Sequence, residues 1–86
     1  MEIEVSPSFK KKVRLIHKNN LKLYLKANKT IKLFIENPNH PSLRLHKLNH
    51  SSRWSMSVTM DIRITYEYFK GCILLVNIGT HDEVYK

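Results

Sequence analysis

His81 and Tyr85 stand four residues apart near the end of the chain, within Ile78-Gly79-Thr80-His81-Asp82-Glu83-Val84-Tyr85. Imidazole is the side chain that titrates near neutrality, and a phenol can donate a hydrogen bond or a proton. A third group with chemical potential is Arg63, in Ile62-Arg63-Ile64-Thr65-Tyr66. If Ile62 and Ile64 face a core, strand alternation turns Arg63 the other way. A guanidinium is permanently charged, and its planar fork fits a phosphate or the doubly charged transition state of phosphoryl transfer. A ribonuclease needs these parts: a base for the 2′-hydroxyl, a donor for the leaving 5′-oxygen, and a cation on the phosphate. A purely structural reading competes with this one. In it, Arg63 pairs with Glu67 or Asp61 and Tyr85 is a terminal anchor.

A second cluster is Asn39-His40-Pro41-Ser42-Leu43-Arg44-Leu45-His46-Lys47-Leu48. Leu43 and Leu45 alternate with Arg44 and His46, which predicts a strand with both basic residues on one face. Arg44, His46 and Lys47 could track an RNA backbone. His40 precedes a proline at a helix-to-strand corner, where a histidine is usually structural. The five histidines, His17, His40, His46, His50 and His81, include no i,i+4 pair on a predicted helix (His46 and His50 are four apart, but in a stretch read as strand and loop), and there is no CxxC, so no metal or other cofactor is expected. Cys72 lies in an apolar run and is expected to be a buried, inert thiol. Trp54 shares parity with Met56 and Val58, which assigns it to the core. Trp54, Tyr66, Tyr68 and Phe69 could otherwise stack on bases, though Tyr68 and Phe69, at a hairpin, carry little information.

The elements that must position these groups are legible from periodicity. Glu2 to Val5 alternates as a short first strand. Ser6-Pro7-Ser8 supplies a turn and an N-cap. Phe9, Val13 and Ile16 recur at helical spacing up to about Lys18, and Asn19-Asn20 breaks that helix. Leu21, Tyr24, Leu25, Asn28, Ile31 and Ile35 predict the apolar stripe of a second helix, which Asn37-Pro38 stops. Trp54, Met56 and Val58, then Ile62, Ile64 and Tyr66, then Cys72 to Ile78 predict strands, with a tight turn at Phe69-Lys70-Gly71. The expected fold is α+β. An N-terminal strand and a two-helix hairpin pack on one face of a small, mainly antiparallel sheet, leaving the other face for work.

The chain has 86 residues, enough for one domain spanning 1–86. Its single cysteine excludes an intrachain disulfide and points to a reducing, cytoplasmic compartment. No apolar run approaches the length of a signal peptide or a membrane helix. Fifteen Lys and Arg against seven acids give a net charge of +8, which favours a polyanionic partner, nucleic acid first and an acidic protein segment second. The charge is segregated. Lys10, Lys11, Lys12, Arg14, Lys18, Lys22, Lys26, Lys29 and Lys32 fall in a stretch, Ser6 to Ile35, that holds no acid.

Several separate blocks also resemble a known family. They are His40-Pro41-Ser42-Leu43-Arg44, His46-Lys47-Leu48, Trp54-Ser55, Ser57-Val58, Asp61-Ile62-Arg63-Ile64 and Ile78 to Tyr85. In order and spacing they are similar to the RelE/ParE superfamily, and most of all to the RelE/StbE toxins of type II toxin-antitoxin systems. The resemblance implies a fold like that of small microbial ribonucleases and a metal-independent, ribosome-dependent cut of mRNA. It implies a cognate antitoxin and a hetero-oligomeric complex with it. It places catalytic roles on Arg63, His81 and Tyr85, and RNA-binding roles on Arg44, His46, Lys47 and His40. The chain departs from the family between Leu48 and Trp54, where relatives often have a longer hairpin. Ile62 replaces an aromatic found in some relatives, and no glutamate stands where some place their base. The same superfamily includes ParE-like inhibitors of DNA gyrase. A decayed toxin that only binds its antitoxin is the third alternative.

Overall fold

The structure, a computed structural model, describes residues 2–48 and 51–85. Strand β1 (Glu2–Val5) leads to helices α1 (Pro7–Asn19) and α2 (Leu21–Glu36). A 3-10 turn (Pro41–Leu43) follows, then β2 (His46–Lys47), β3 (Arg53–Ser57), β4 (Ile62–Phe69), β5 (Cys72–Thr80) and a one-turn helix α3 (His81–Val84). The five strands form one sheet in the order β1-β5-β4-β3-β2. The β5-β4, β4-β3 and β3-β2 pairs are antiparallel, while β1 runs parallel to β5. The fold is therefore α+β on a mixed, mainly antiparallel sheet, as the periodicity predicts.

Local chemistry explains the breaks. The Ser6 hydroxyl accepts from the Phe9 amide at 3.0 Å and so caps α1, with Pro7 in the first turn. The same hydroxyl donates to the Val76 carbonyl at 2.6 Å, which ties the helix start to β5. Asn20 serves two helices. Its amide donates to the Ile16 carbonyl at the end of α1, and its side-chain oxygen accepts from the Leu23 amide at the start of α2. Lys70 and Gly71 both take positive φ, 49° and 79°, in the two-residue turn between β4 and β5.

Phe9 from α1 and Ala27 and Phe34 from α2 meet Met56, Ile64, Tyr66, Ile73, Leu75 and Ile78 from the sheet in one core. The Phe34 and Tyr66 rings lie 4.9 Å apart, a contact worth about 0.5–1.5 kcal/mol beyond the area it buries. Trp54 packs against the same core. The register shifts between Thr65 and Tyr66, where β5 has one extra residue, Val76. That bulge changes the parity of β5, so Ile78 rejoins Ile73 and Leu75 inside.

Three expectations are corrected. The core-facing stripe of α2 is Leu23, Ala27, Thr30 and Phe34, with Ile31 of the expected stripe also packed against the core, whereas Leu21, Leu25 and Ile35 are exposed. Thr30 can be buried because its hydroxyl donates to the Lys26 carbonyl at 2.9 Å. Leu43 is not in a strand. Pro41 starts a 3-10 turn there, and Arg44 ends it in the left-handed conformation at φ 45°. Arg44 and His46 are thus not alternating neighbours on one strand. Cys72 is half-buried rather than buried, with its thiol 3.8 Å from the Lys70 carbonyl.

Candidate active site

The strand register sets the floor of the site. Ser55 pairs with Thr65, and Ser57 with Arg63, so Ser55, Ser57, Arg63 and Thr65 share the sheet face opposite Met56, Ile64 and Tyr66. On that face the Arg63 Nε donates to the Ser55 hydroxyl at 2.9 Å. Its Nη2 donates to the Arg44 carbonyl at 2.7 Å and, weakly, to the Ser55 carbonyl at 3.4 Å. One edge of the guanidinium is thereby clamped, and Nη1 carries no described hydrogen bond. The left-handed turn at Arg44 is what aims its carbonyl at Arg63. Neither acid suggested for Arg63 takes it, and Glu67 instead pairs with Arg53 at 3.0 Å.

The ceiling is α3. Thr80 caps it, and a capping box closes the cap: the Thr80 amide donates to Glu83 Oε1 at 2.9 Å, and the Glu83 amide to the Thr80 hydroxyl at 3.4 Å. Gly79 makes this possible. A Cβ there would meet the Glu83 side chain at 3.0–3.2 Å. Within this single turn His81 and Tyr85 fall on one face, their rings edge to face with centroids 4.0 Å apart. The Tyr85 hydroxyl meets the Ser55 hydroxyl at 2.9 Å. His81 remains exposed, its Nδ1 3.7 Å from Asp82, a contact that solvent screens to little value.

Arg44, Leu45, His46, Met60, Asp61, Arg63, His81 and Tyr85 line one cleft of about 470 Å³. That volume lies in the range of small-molecule and nucleotide sites. Its charged walls carry two arginines against one aspartate, so an anion is the favoured occupant. Five residues singled out from sequence, Arg44, His46, Arg63, His81 and Tyr85, come together here. Two do not line it. Lys47 points to the opposite face of β2 from His46 by strand parity. The His40 ring nitrogen accepts from the Ser42 amide at 3.1 Å and caps the 3-10 turn. His50 lies outside the described residues. Among the described residues no group of three or more His, Cys, Asp and Glu is placed to hold a metal ion.

Sequence reasoning missed Ser55, Asp61 and Met60. Ser55 is wholly buried between Arg63 and Tyr85. Beyond its place in the Trp54-Ser55 block, its sequence signal is shared parity with Arg63 across a pairing that the sequence does not state. Asp61 appeared only as a pairing partner. Met60, 92% exposed, lies at the rim between β3 and β4, where strand alternation gives it no role.

A larger cleft of about 690 Å³ runs between α2 and the turn before β4, lined by Leu23, Leu25, Ile62, Asp61 and the lysines Lys22, Lys26 and Lys29. It is mostly apolar with a basic rim, and neither a histidine nor a tyrosine lines it. No helix among the described residues is long and apolar enough to cross a membrane.

No family model matches the chain, and no curated protein matches its sequence. Solved structures do match in shape. YafQ from E. coli strain BL21(DE3) is 24% identical, covers 99% of this chain over 98% of its own, and has a TM-score of 0.81. A YoeB/ParE toxin from Agrobacterium tumefaciens is 16% identical over 94% of this chain and 99% of its own, with a TM-score of 0.78. YoeB in a heterotetrameric YoeB-YefM toxin-antitoxin complex from Staphylococcus aureus is 19% identical over 94% and 97%, with a TM-score of 0.77. The chain has the fold of the RelE/ParE-type toxins, along its whole length.

Proposed function

We propose that this chain is the toxin of a type II toxin-antitoxin system and acts as an mRNA endoribonuclease in the cytoplasm. One observation carries the reading: the fold shared with YafQ and YoeB brings Arg63, His81 and Tyr85 to a single cationic cleft, flanked by Arg44 and His46. The mRNA 2′-hydroxyl attacks the adjacent phosphate. The products are a 2′,3′-cyclic phosphate, or the 3′-phosphate it hydrolyses to, and a 5′-hydroxyl. The reaction needs two proton transfers, for which His81 and Tyr85, both lining the cleft, are the proposed groups. Such help is typically worth ~10²–10⁴-fold. Arg63, clamped along one edge, presents its remaining amine to the charge that develops on the phosphate. Arg44 and His46 hold the neighbouring backbone. Lys47 and the lysines of α1 and α2 supply a wider cationic surface for rRNA, consistent with action on the ribosome.

The antitoxin follows from the same reading. YafQ is known in a DinJ-YafQ toxin-antitoxin complex, and YoeB in one with YefM. In this chain the apolar cleft of Leu23, Leu25 and Ile62, rimmed by Lys22, Lys26 and Lys29, suits an acidic amphipathic segment.

Expression without antitoxin, followed by mapping of mRNA 5′ ends, tests the reading. Growth arrest with new 5′-hydroxyl ends inside coding regions supports it. DNA damage without such ends would instead assign a gyrase inhibitor, and unimpeded growth a decayed toxin.

A further inference from the structure

We propose that Ser55 is a positioning residue that fixes which way the Tyr85 proton points, and that Tyr85 is thereby the proton donor to the leaving 5′-oxygen. This inference rests on the nuclease reading and goes further, because it separates the roles of two groups that the sequence leaves interchangeable.

Hydrogen-bond accounting at Ser55 sets the direction of the relay. Ser55 is wholly buried, and its hydroxyl has two described partners, Arg63 Nε and the Tyr85 hydroxyl, each at 2.9 Å. Arg63 Nε carries one hydrogen and can only donate. It therefore occupies a lone pair on Ser55 and leaves the serine with one hydrogen to place. If Tyr85 also donated to Ser55, that hydrogen would be buried without an acceptor among the described contacts, at a cost of about 1–3 kcal/mol. If Ser55 donates to Tyr85, every group is satisfied. The phenolic hydrogen is then excess to the relay and faces the cleft that Tyr85 lines, where water or substrate takes it. A guanidinium is never deprotonated at working pH, so the direction Arg63 to Ser55 to Tyr85 to substrate is fixed by its charged end. An oxygen held as acceptor by Ser55 and presenting its proton outward is set to give a proton, not to remove one.

The 2′-oxygen forms a bond to phosphorus as its proton passes to the His81 imidazole. The P–O5′ bond breaks, and its electron pair leaves with O5′, which takes the Tyr85 proton. The phenolate left behind accepts the Ser55 hydrogen beside the Arg63 cation. The imidazolium and phenolate, whose rings lie 4.0 Å apart, return to their starting forms by exchanging one proton directly or through water.

A short mRNA with sulfur in place of the scissile 5′-oxygen, bound to ribosomes, gives the test, because a thiolate leaves without being protonated. On the ordinary mRNA, Tyr85→Phe is expected to lower cleavage by ~10²-fold and Ser55→Ala by at least ~10-fold. On the sulfur substrate both variants should approach the wild-type rate, while His81→Ala and Arg63→Ala keep their deficits. A merely structural Ser55 would lose the same factor on both substrates. Persistence of the Tyr85→Phe or Ser55→Ala deficit on sulfur, or no deficit of Ser55→Ala on oxygen, would overturn the inference while leaving the nuclease intact. If Ser55→Ala does not fold, Tyr85→Phe, which removes a single oxygen from a half-buried residue, decides alone. A wild-type protein that cleaves neither substrate would overturn both readings.

Discussion

The Arg63 side chain donates a 2.7 Å hydrogen bond to the backbone carbonyl of Arg44, so two arginines nineteen residues apart are held beside one cleft. Like charges repel, and nothing in the core requires this arrangement. The fold tolerates it through a left-handed Arg44 and a clamped guanidinium. Such local strain at the edge of a cleft is expected where an anion is to be bound.

Arg44→Gly separates the stability of that turn from its function. Glycine adopts the left-handed region without the ~1–2 kcal/mol that an L-residue meets there, and its carbonyl can still accept from Arg63. The variant should melt at a higher temperature than wild type and bind a single-stranded RNA oligonucleotide more weakly. Thermal unfolding and fluorescence anisotropy read the two effects. A fall in both would mean that Arg44 is structural.

Arg63→Lys should behave almost like Arg63→Ala. A lysine cannot reproduce the clamp on Ser55 and Arg44, and removing a comparable transition-state donor costs ~10²–10³-fold. Loss of the Nε donor to the buried Ser55 should also lower the unfolding free energy by about 1 kcal/mol. Cleavage assays and urea titration check both. Full activity in the lysine variant would remove Arg63 from the site.

Gly79→Ala should inactivate the protein without touching a reacting group. The added methyl would press on the Glu83 side chain at 3.0–3.2 Å, and Glu83 closes the cap on which His81 and Tyr85 are mounted. About 1–3 kcal/mol of stability should be lost, along with growth arrest. Unchanged toxicity would show that α3 is not the mount for the chemistry.

Tyr66 reports on the core. Burial first, and the adjacent Tyr68 phenol second, push its hydroxyl well above the ordinary tyrosine value. The native state therefore holds a proton that the unfolded chain gives up near pH 10. Its stabilising contribution is complete below that pH and is lost as the pH rises further. Wild type should weaken relative to Tyr66→Phe between pH 9 and 11, while the two differ by a constant amount from pH 6 to 8. Urea unfolding across this series is the check, and parallel curves throughout would contradict it.

Much of this fold can be read from the chain because its boundaries are made by neighbouring residues. Ser6, Asn20, Pro38 and Gly71 start, stop or turn an element through contacts within a few positions. What escaped depends on distant contacts or on a choice between two faces. Helix α2 carries apolar residues on both sides, and periodicity cannot say that Phe34 rather than Ile35 meets the sheet. The left-handed Arg44 replaces a regular strand because Pro41 and the His40 cap start a tighter turn. Arg63, His81 and Tyr85 were legible as reactive types on interpretable elements. Ser55, an ordinary small polar residue, gains meaning only when β3, β4 and α3 are superposed on it.

The most direct test of the nuclease is cleavage of a short mRNA in the ribosomal A site by purified protein, with product ends identified by mass. Wild type should give a 5′-hydroxyl and a 2′,3′-cyclic or 3′-phosphate, and Arg63→Ala a rate at least ~10²-fold lower. Intact mRNA with wild-type protein, or equal cleavage by the two proteins, would contradict it.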